Sequence, residues 1–122
     1  MLEQDGYCVV ASSHACSRAQ ARLPHLHAAR HVEARHWLEV TAAEAMHEGR
    51  KARRLPRWAV ADVYGEAQLR TRLPHEGQWR FVWDGEETVA LLCKYTRDLY
   101  WDERRYLWLI VTTLARGWVV AG

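Results

Sequence analysis

Apolar positions change period near the middle of the chain. Up to about residue 48, Ala, His and Arg recur at helix-like spacing. From residue 68 onward, β-branched and aromatic residues alternate with polar ones between turn residues. The first period predicts helices and the second predicts strands. The chain therefore reads as α+β, with N-terminal helices packed on a C-terminal antiparallel meander of about four strands.

The run Tyr7-Cys8-Val9-Val10-Ala11 reads as a short strand or an ordered arm within residues 1–12. Ser12 or Ser13 follows as a helix cap, since a serine oxygen accepts from a free first-turn amide. A helix over 14–23 places Ala15, Cys16, Ala19 and Leu23 on one side and aligns His14, Arg18 and Arg22 on another, and Pro24 closes it. Residues 25–38 hold strong helix formers, but Leu26, Ala28, Val32, Ala34 and Trp37 scatter round the wheel, so this helix rests on propensity rather than on a stripe. Thr41-Ala42-Ala43-Glu44 matches a capping box and Gly49 a left-handed stop, which predicts a separate helix of about two turns. Leu55-Pro56-Arg57-Trp58 opens either a short helix ending near Gly65 or a strand.

Strands are expected over 68–73 and, after a turn at Pro74-His75-Glu76-Gly77, over 78–83 with Trp79, Phe81 and Trp83 on one face. Asp84-Gly85 supplies the positive φ angles of a tight hairpin. The return strand, 88–95, puts Val89, Leu91, Cys93 and Tyr95 on one face and Ala90, Leu92 and Lys94 on the other. Residues 106–114 form a fourth strand, apolar enough to be covered on both sides.

With 122 residues, 49% of them apolar, the chain has the size of one domain and enough apolar surface to offset the entropy of ordering. The longest nearly unbroken apolar run, 106–115, is about half of the ~20 residues a membrane-crossing helix needs, and no charged start with an apolar stretch opens the chain. A soluble protein without an export signal is expected. Cys8, Cys16 and Cys93 are odd in number and lack a CxxC pair, which fits reduced thiols in the cytoplasm. The net charge of +2 says little, but its distribution says more. Between residues 50 and 80, eight basic residues face three acidic ones, while both flanks are slightly acidic. Arg53, Arg54, Arg57, Arg70 and Arg72 in this segment, with Arg22 and Arg97 outside it, are candidate contacts to a polyanion such as RNA; a solvated Arg-rich surface explains them equally well.

Other chemistries find thin support. His27 and His31 stand four residues apart, and His25 shares a face with His36, but no HExxH and no paired Cys accompany them, so no metal or cofactor is assigned. Cys16 and Cys93 sit in apolar surroundings where thiols are usually packing, and Ser12 and Ser13 lack the Gly-framed turn of a hydrolase serine. No GxxxxGK[ST] or GxGxxG is present. The cationic group is more suggestive. Metal-independent RNA cleavage needs proton donors and acceptors at the 2′-hydroxyl and leaving oxygen, with fixed positive charge beside the phosphate. His14 with Tyr95 or Tyr100 supplies the first, and Arg18, Arg80, Lys94 and Arg97 the second, provided the helix stripe and the hairpin meet around one phosphate.

The opening Ser12-Ser13-His14-Ala15-x-x-Arg18-Ala19-x-x-Arg22, the Ala/Glu-rich helix ending in Glu48-Gly49-Arg50, and the hairpin of Arg80-Phe81-Val82-Trp83 with residues 89–95 together resemble small bacterial and phage toxin-like proteins of the BrnT and RelE type. That resemblance implies a compact α+β ribonuclease or an inactive relative, with His14 and Arg18 in the helix and Arg80 and Lys94 in the sheet at its site. Residues 25–38 are longer than the link such proteins would have, and the Trp-rich stretch after Asp98 has no counterpart. A second expectation belongs to another class. Trp58, Trp79, Trp83, Trp101, Trp108 and Trp118, interspersed with Arg, have the composition of interface anchors, as in a noncatalytic inhibitor or the antidote-type partner of a cognate protein. A concave groove holding His14, Arg80 and Lys94 would favour cleavage; an outward patch of Trp79, Trp83 and Trp101 would favour protein binding.

Overall fold

The computed structural model describes residues 1–56, 58, 78–98 and 101–116. In chain order the elements are β1 (Leu2–Gln4), β2 (Tyr7–Ala11), α1 (Ser13–Arg22), a short 3-10 turn (Pro24–Leu26), α2 (His31–His47), β3 (Lys51–Ala52), β4 (Gln78–Trp83), β5 (Val89–Asp98) and β6 (Asp102–Ala115). The expected strand over 68–73, the turn at 74–77 and most of the element opening at Leu55 lie outside the described residues.

The α+β class agrees with the sequence reading, but the sheet differs. Among the described residues it has six strands in the order β1-β2-β6-β5-β4-β3, and β2 runs parallel to β6 while the other neighbours are antiparallel. The expected meander survives as β4-β5-β6 and is extended on both sides. The backbone edge of its last strand that β5 leaves open pairs with β2, setting Val9, Val10 and Ala11 opposite Trp108, Leu109 and Ile110, which places β6 inside the sheet. Asp5 and Gly6 form the two-residue turn between β1 and β2, with φ of 53° and 83°, the primed-turn geometry that suits an Asp-Gly pair.

Local chemistry explains most element ends. Ser12 caps α1 by accepting from the Ala15 N–H at 3.0 Å, and Ala15, Cys16 and Ala19 are buried as the spacing predicts. Pro24 ends α1 but also opens the 3-10 turn. The two helices expected over 25–38 and after Thr41 are one: Thr41 and Glu44 lie inside α2 and cap nothing. Ala34, Leu38, Ala42 and Met46, four residues apart and all buried, carry one apolar stripe through the expected break. Gly49, at φ 79°, does end the helix; its N–H reaches the Met46 carbonyl, and the Arg50 N–H reaches Ala45 at 2.8 Å. At the β4–β5 turn the positive φ falls on Glu87 rather than on Gly85, because Asp84 Oδ1 accepts from both Thr88 and Val89 N–H and sets a wider loop.

Both helices cover one face of the sheet. Val9, Ala11, Val82, Leu91, Cys93 and Ile110 are buried against them, whereas Phe81, Ala90, Leu92 and Leu114 pack on the opposite face with Leu55 and the half-buried Trp58, Trp79 and Val111. The sheet curls towards the helices. Neighbouring strands lie about 4.8 Å apart, so β2 and β3, four places distant, would stand ~19 Å apart in a flat sheet. Yet Lys51 Nζ of β3 comes within 5.8 Å of the Tyr7 ring centroid of β2.

A β-bulge in β6 sets which side chains line the concavity. Leu92 pairs with Thr112 but Cys93 pairs with Ile110, leaving Val111 without an opposite residue. A regular register would set Tyr95 against Leu109 and turn Tyr106 and Trp108 to the convex face; the extra residue instead sets Tyr95 against Trp108 and Arg97 against Tyr106 on the concave face. α1 is tied to this bulge. The Ser12 N–H donates to the Ile110 carbonyl at 3.0 Å and Ser12 Oγ to Val111 at 3.3 Å, while Thr113 Oγ1 donates to the Ala15 carbonyl at 2.9 Å.

One tie of α2 is equally specific: buried Glu39 accepts from the Ala11 N–H at 2.9 Å, just beyond the reach of β1. Glu39→Ala would leave that buried donor unpaired and is expected to cost about 2 kcal/mol, several degrees in Tm, whereas Glu39→Gln keeps an acceptor and most of the stability. Ser12→Ala, which loses both the cap and the bulge contact, should cost about 1–2 kcal/mol. Thermal denaturation of the three variants checks both statements; equal stability of Glu39→Ala and Glu39→Gln would refute the first.

Candidate nucleic-acid interface

The helices cover only part of the concave face. Where β5 carries Leu91 and Cys93 and β6 carries Ile110, the face is sealed; further along, Tyr95 and Tyr106 are 37% and 44% exposed. There the curl of the sheet leaves an open cleft of about 400 Å³, within the range of small-ligand sites. Tyr7, Tyr95, Tyr106 and Trp108 wall it, with Gln78, Cys8 and the Gly6 turn between them. Tyr95 lies against two rings at once: Tyr106, with centroids 5.4 Å apart and planes 25° apart, and Trp108 at 5.0 Å and 45°.

Two cations stand at the rim. The Arg97 guanidinium lies 5.7 Å from the Tyr106 ring centroid and donates from Nε to Tyr106 Oη at 3.0 Å; Lys51 lies over Tyr7 from the other edge of the sheet. Bonding to Tyr106 raises the Arg97 pKa further, so this charge is permanent. Of the polar groups in the walls, Tyr7 Oη is engaged, donating to the Met46 carbonyl at 3.4 Å, while the Gln78 amide and the Tyr95 hydroxyl make no hydrogen bond among the described residues. Arg105 is neutralised by Glu3 at 2.8 Å beside Cys8. Burial and the Glu3 carboxylate push the Cys8 thiol up, with Arg105 opposing, so Cys8 is a neutral thiol near pH 7.

The residues singled out from the sequence divide among several places. Tyr95, Arg80 and Arg97 share the concave face, Arg80 lying opposite Cys93 and donating to the Trp79 carbonyl at 2.7 Å. Lys94 is on the convex face, its ammonium 5.3 Å from the centroid of the Trp79 ring, and so across the sheet from α1. His14 and Arg18 are exposed on α1, and no hydrogen bond or ion pair among the described residues joins them to Arg80, Tyr95 or Arg97. Arg22 is buried and donates to the Thr113 carbonyl at 2.7 Å, a structural tie between α1 and β6. Arg53 and Arg54 are exposed just after β3; Arg57, Arg70, Arg72, Tyr100 and Trp118 lie outside the described residues. The helix stripe and the hairpin cations thus do not all surround one anion, because a strand alternates faces at every residue and Lys94 follows the wrong parity.

Trp79 and Trp83 are half-buried rather than outward, and Trp101 alone of the expected tryptophan patch is fully exposed, at 81%. Among the described residues no three His, Cys, Asp or Glu side chains gather where a metal could be held, and no helix is long and apolar enough to cross a membrane. The reading of single residues missed Tyr7, Lys51, Gln78 and Tyr106 as site residues, and named Trp108 only as a possible protein-interface anchor. The alternation Tyr106-x-Trp108 was the available signal, but its face depends on the bulge.

Comparison with protein-family models, curated proteins and solved structures finds no match to this chain. The likeness to BrnT- and RelE-type toxins rests on the quoted motifs alone.

Burial also raises the Cys16 and Cys93 thiol pKa values. In the folded protein a thiol-disulfide reagent at pH 7 should therefore modify Cys8 slowly, faster as pH rises, and leave Cys16 and Cys93 untouched until denaturant is added. Rapid modification of two or three thiols without denaturant would contradict the burial described.

Proposed function

We propose that this protein binds single-stranded RNA, holding an unpaired base against the Tyr95–Tyr106–Trp108 rings with Arg97 and Lys51 on the neighbouring phosphates. The observation that carries the reading is the group of partly exposed rings in a concave cleft, with Arg97 over Tyr106 of that group and Lys51 over Tyr7 on the opposite wall. Single-stranded nucleic acids are commonly held in this manner: bases stack on aromatic side chains, worth about 1–3 kcal/mol each, and basic groups follow the backbone. An aromatic cleft of this kind also suits a quaternary ammonium, but two fixed positive charges at the rim oppose a cationic ligand and favour an anionic one.

The proposal is for binding, with cleavage as a separate question. A ribonuclease site built from His14, Arg18, Arg80, Lys94 and Tyr95 would need groups from both faces of the sheet at one phosphate. Among the described residues of the Trp79, Trp83 and Trp101 patch, the protein-interaction alternative draws on Trp101 alone.

Fluorescence anisotropy with a labelled single-stranded oligoribonucleotide, in chelator, tests the reading. Tyr95→Ala and Tyr106→Ala should each weaken binding about tenfold, Tyr95→Phe should retain it, and Arg97→Ala or Lys51→Ala should each reduce the slope of log K against log salt by about 0.7. Failure of the wild-type protein to bind, or affinity indifferent to Tyr95→Ala, overturns it. RNA recovered from the same samples should be intact. Cleavage that disappears in His14→Ala would restore the catalytic reading.

A further inference from the structure

One row of the concave face runs in register across three strands. Gln78 of β4 lies directly opposite Tyr95 of β5, which in turn lies opposite Trp108 of β6, and all three line the cleft. Residues paired in this way carry their side chains on one face, with Cβ atoms about 5 Å apart, so Gln78 flanks Tyr95 on the side away from Trp108. The next β4 residue on this face, Arg80, turns back to its own strand and donates to the Trp79 carbonyl at 2.7 Å. Gln78 is exposed, and its amide makes no hydrogen bond among the described residues. The Tyr95 hydroxyl and the Trp108 indole N–H are likewise without one, whereas the hydroxyls of Tyr7 and Tyr106 are engaged by Met46 and Arg97.

We propose that Gln78 selects the base, its amide pairing with the imide edge of a uracil that lies on the Tyr95 and Trp108 rings. This inference rests on the RNA-binding reading of the cleft. Stacking accepts any base because each has a π face, so selection needs a polar group at the edge of the stacked ring. Gln78 is the residue at the β4 end of the row, and a primary amide donates and accepts at adjacent atoms. The imide of uracil matches it in two ways, since N3–H stands between O2 and O4. Gln78 Oε1 accepts from N3–H while Nε2 donates to either carbonyl. The Trp108 indole only donates and the Tyr95 hydroxyl is able to, so donors for the other carbonyl are at hand. The amino groups of adenine, cytosine and guanine each bring two N–H donors to a row whose side-chain acceptors are the Gln78 oxygen and the Tyr95 hydroxyl. Affinity thus comes from the rings and the rim cations, and selection from one amide.

Methylation of the base separates selection from stacking. Binding of an octauridylate, and of the same strand built from N3-methyluridine, is measured for the wild-type protein and for Gln78→Ala, Gln78→Leu and Tyr95→Ala. The methylated strand keeps its π faces and its charge but lacks the imide N–H. Because Gln78 is exposed, both of its variants should fold normally, which their thermal transitions check, and Gln78→Leu separates loss of the amide from loss of bulk. The wild-type protein should prefer the unmethylated strand about tenfold, the loss expected for one bidentate amide–base contact. Gln78→Ala and Gln78→Leu should bind the two strands equally, and Tyr95→Ala should weaken both. A preference that persists in either Gln78 variant, or equal wild-type affinity for the two strands, overturns the role of Gln78. If Tyr95→Ala still impairs binding in that case, the cleft reading stands without it. If the wild-type protein binds neither strand, both fall.

Discussion

The extra residue at Val111 in β6 is the constraint on which the arrangement depends. Because side chains alternate strictly along a strand, one extra residue exchanges the faces of everything beyond it. Thr113 and Ala115 on one side of the bulge, and Ile110, Trp108 and Tyr106 on the other, share the concave face only because Val111 is skipped. The first group seats α1, and the second walls the cleft. Ser12 joins the two, capping α1 while bonding the carbonyls of Ile110 and Val111. The helix that closes the core and the bulge that aims the aromatic rings are thus parts of one local structure.

The parallel pairing of β2 with β6 adds the second condition. Parallel neighbours require a long connection, and here that connection contains both helices and returns through β3, β4 and β5. The helices fall on one face and the sheet wraps round them. Where their cover ends, the two edges approach closely enough for Lys51 to reach Tyr7. The cleft is the remainder of the concavity that the helices do not fill, which is why its walls come from β2, β4, β5 and β6 together. Aromatic surface and two cationic side chains, Arg97 and Lys51, are its main chemical resources, and on the proposed reading they serve recognition of a planar, anionic ligand.

Much of the secondary structure was legible because its signals are local. The Ser12 cap, the stop at Gly49 and the alternation through β4, β5 and β6 each act within a few residues. The separate capping-box helix was misread because Thr41 and Glu44 have the right spacing for a cap but sit on a buried stripe from Ala34 to Met46, and tertiary burial outweighs a cap worth about 1 kcal/mol. Long-range features were hidden. Neither the partnership of β2 with β6 nor the bulge at Val111 leaves a periodic trace in the sequence. The placement of the candidate site residues was hidden at the same level: His14, Arg18 and Arg22 do share a helix, but Arg22 turns inward to Thr113, and Lys94 faces the other side of the sheet. Tyr95 was identified for its hydroxyl, whereas the fold sets its ring against Tyr106 and Trp108 in the cleft wall.

Photochemical crosslinking followed by peptide mapping addresses the central claim directly, since it reports which side chains touch a base. With a 5-bromouridine-substituted single-stranded RNA, the cleft account predicts adducts on Tyr95, Tyr106 or Trp108. Adducts confined to the convex-face Trp79, or to His14 and its neighbours on α1, would contradict it.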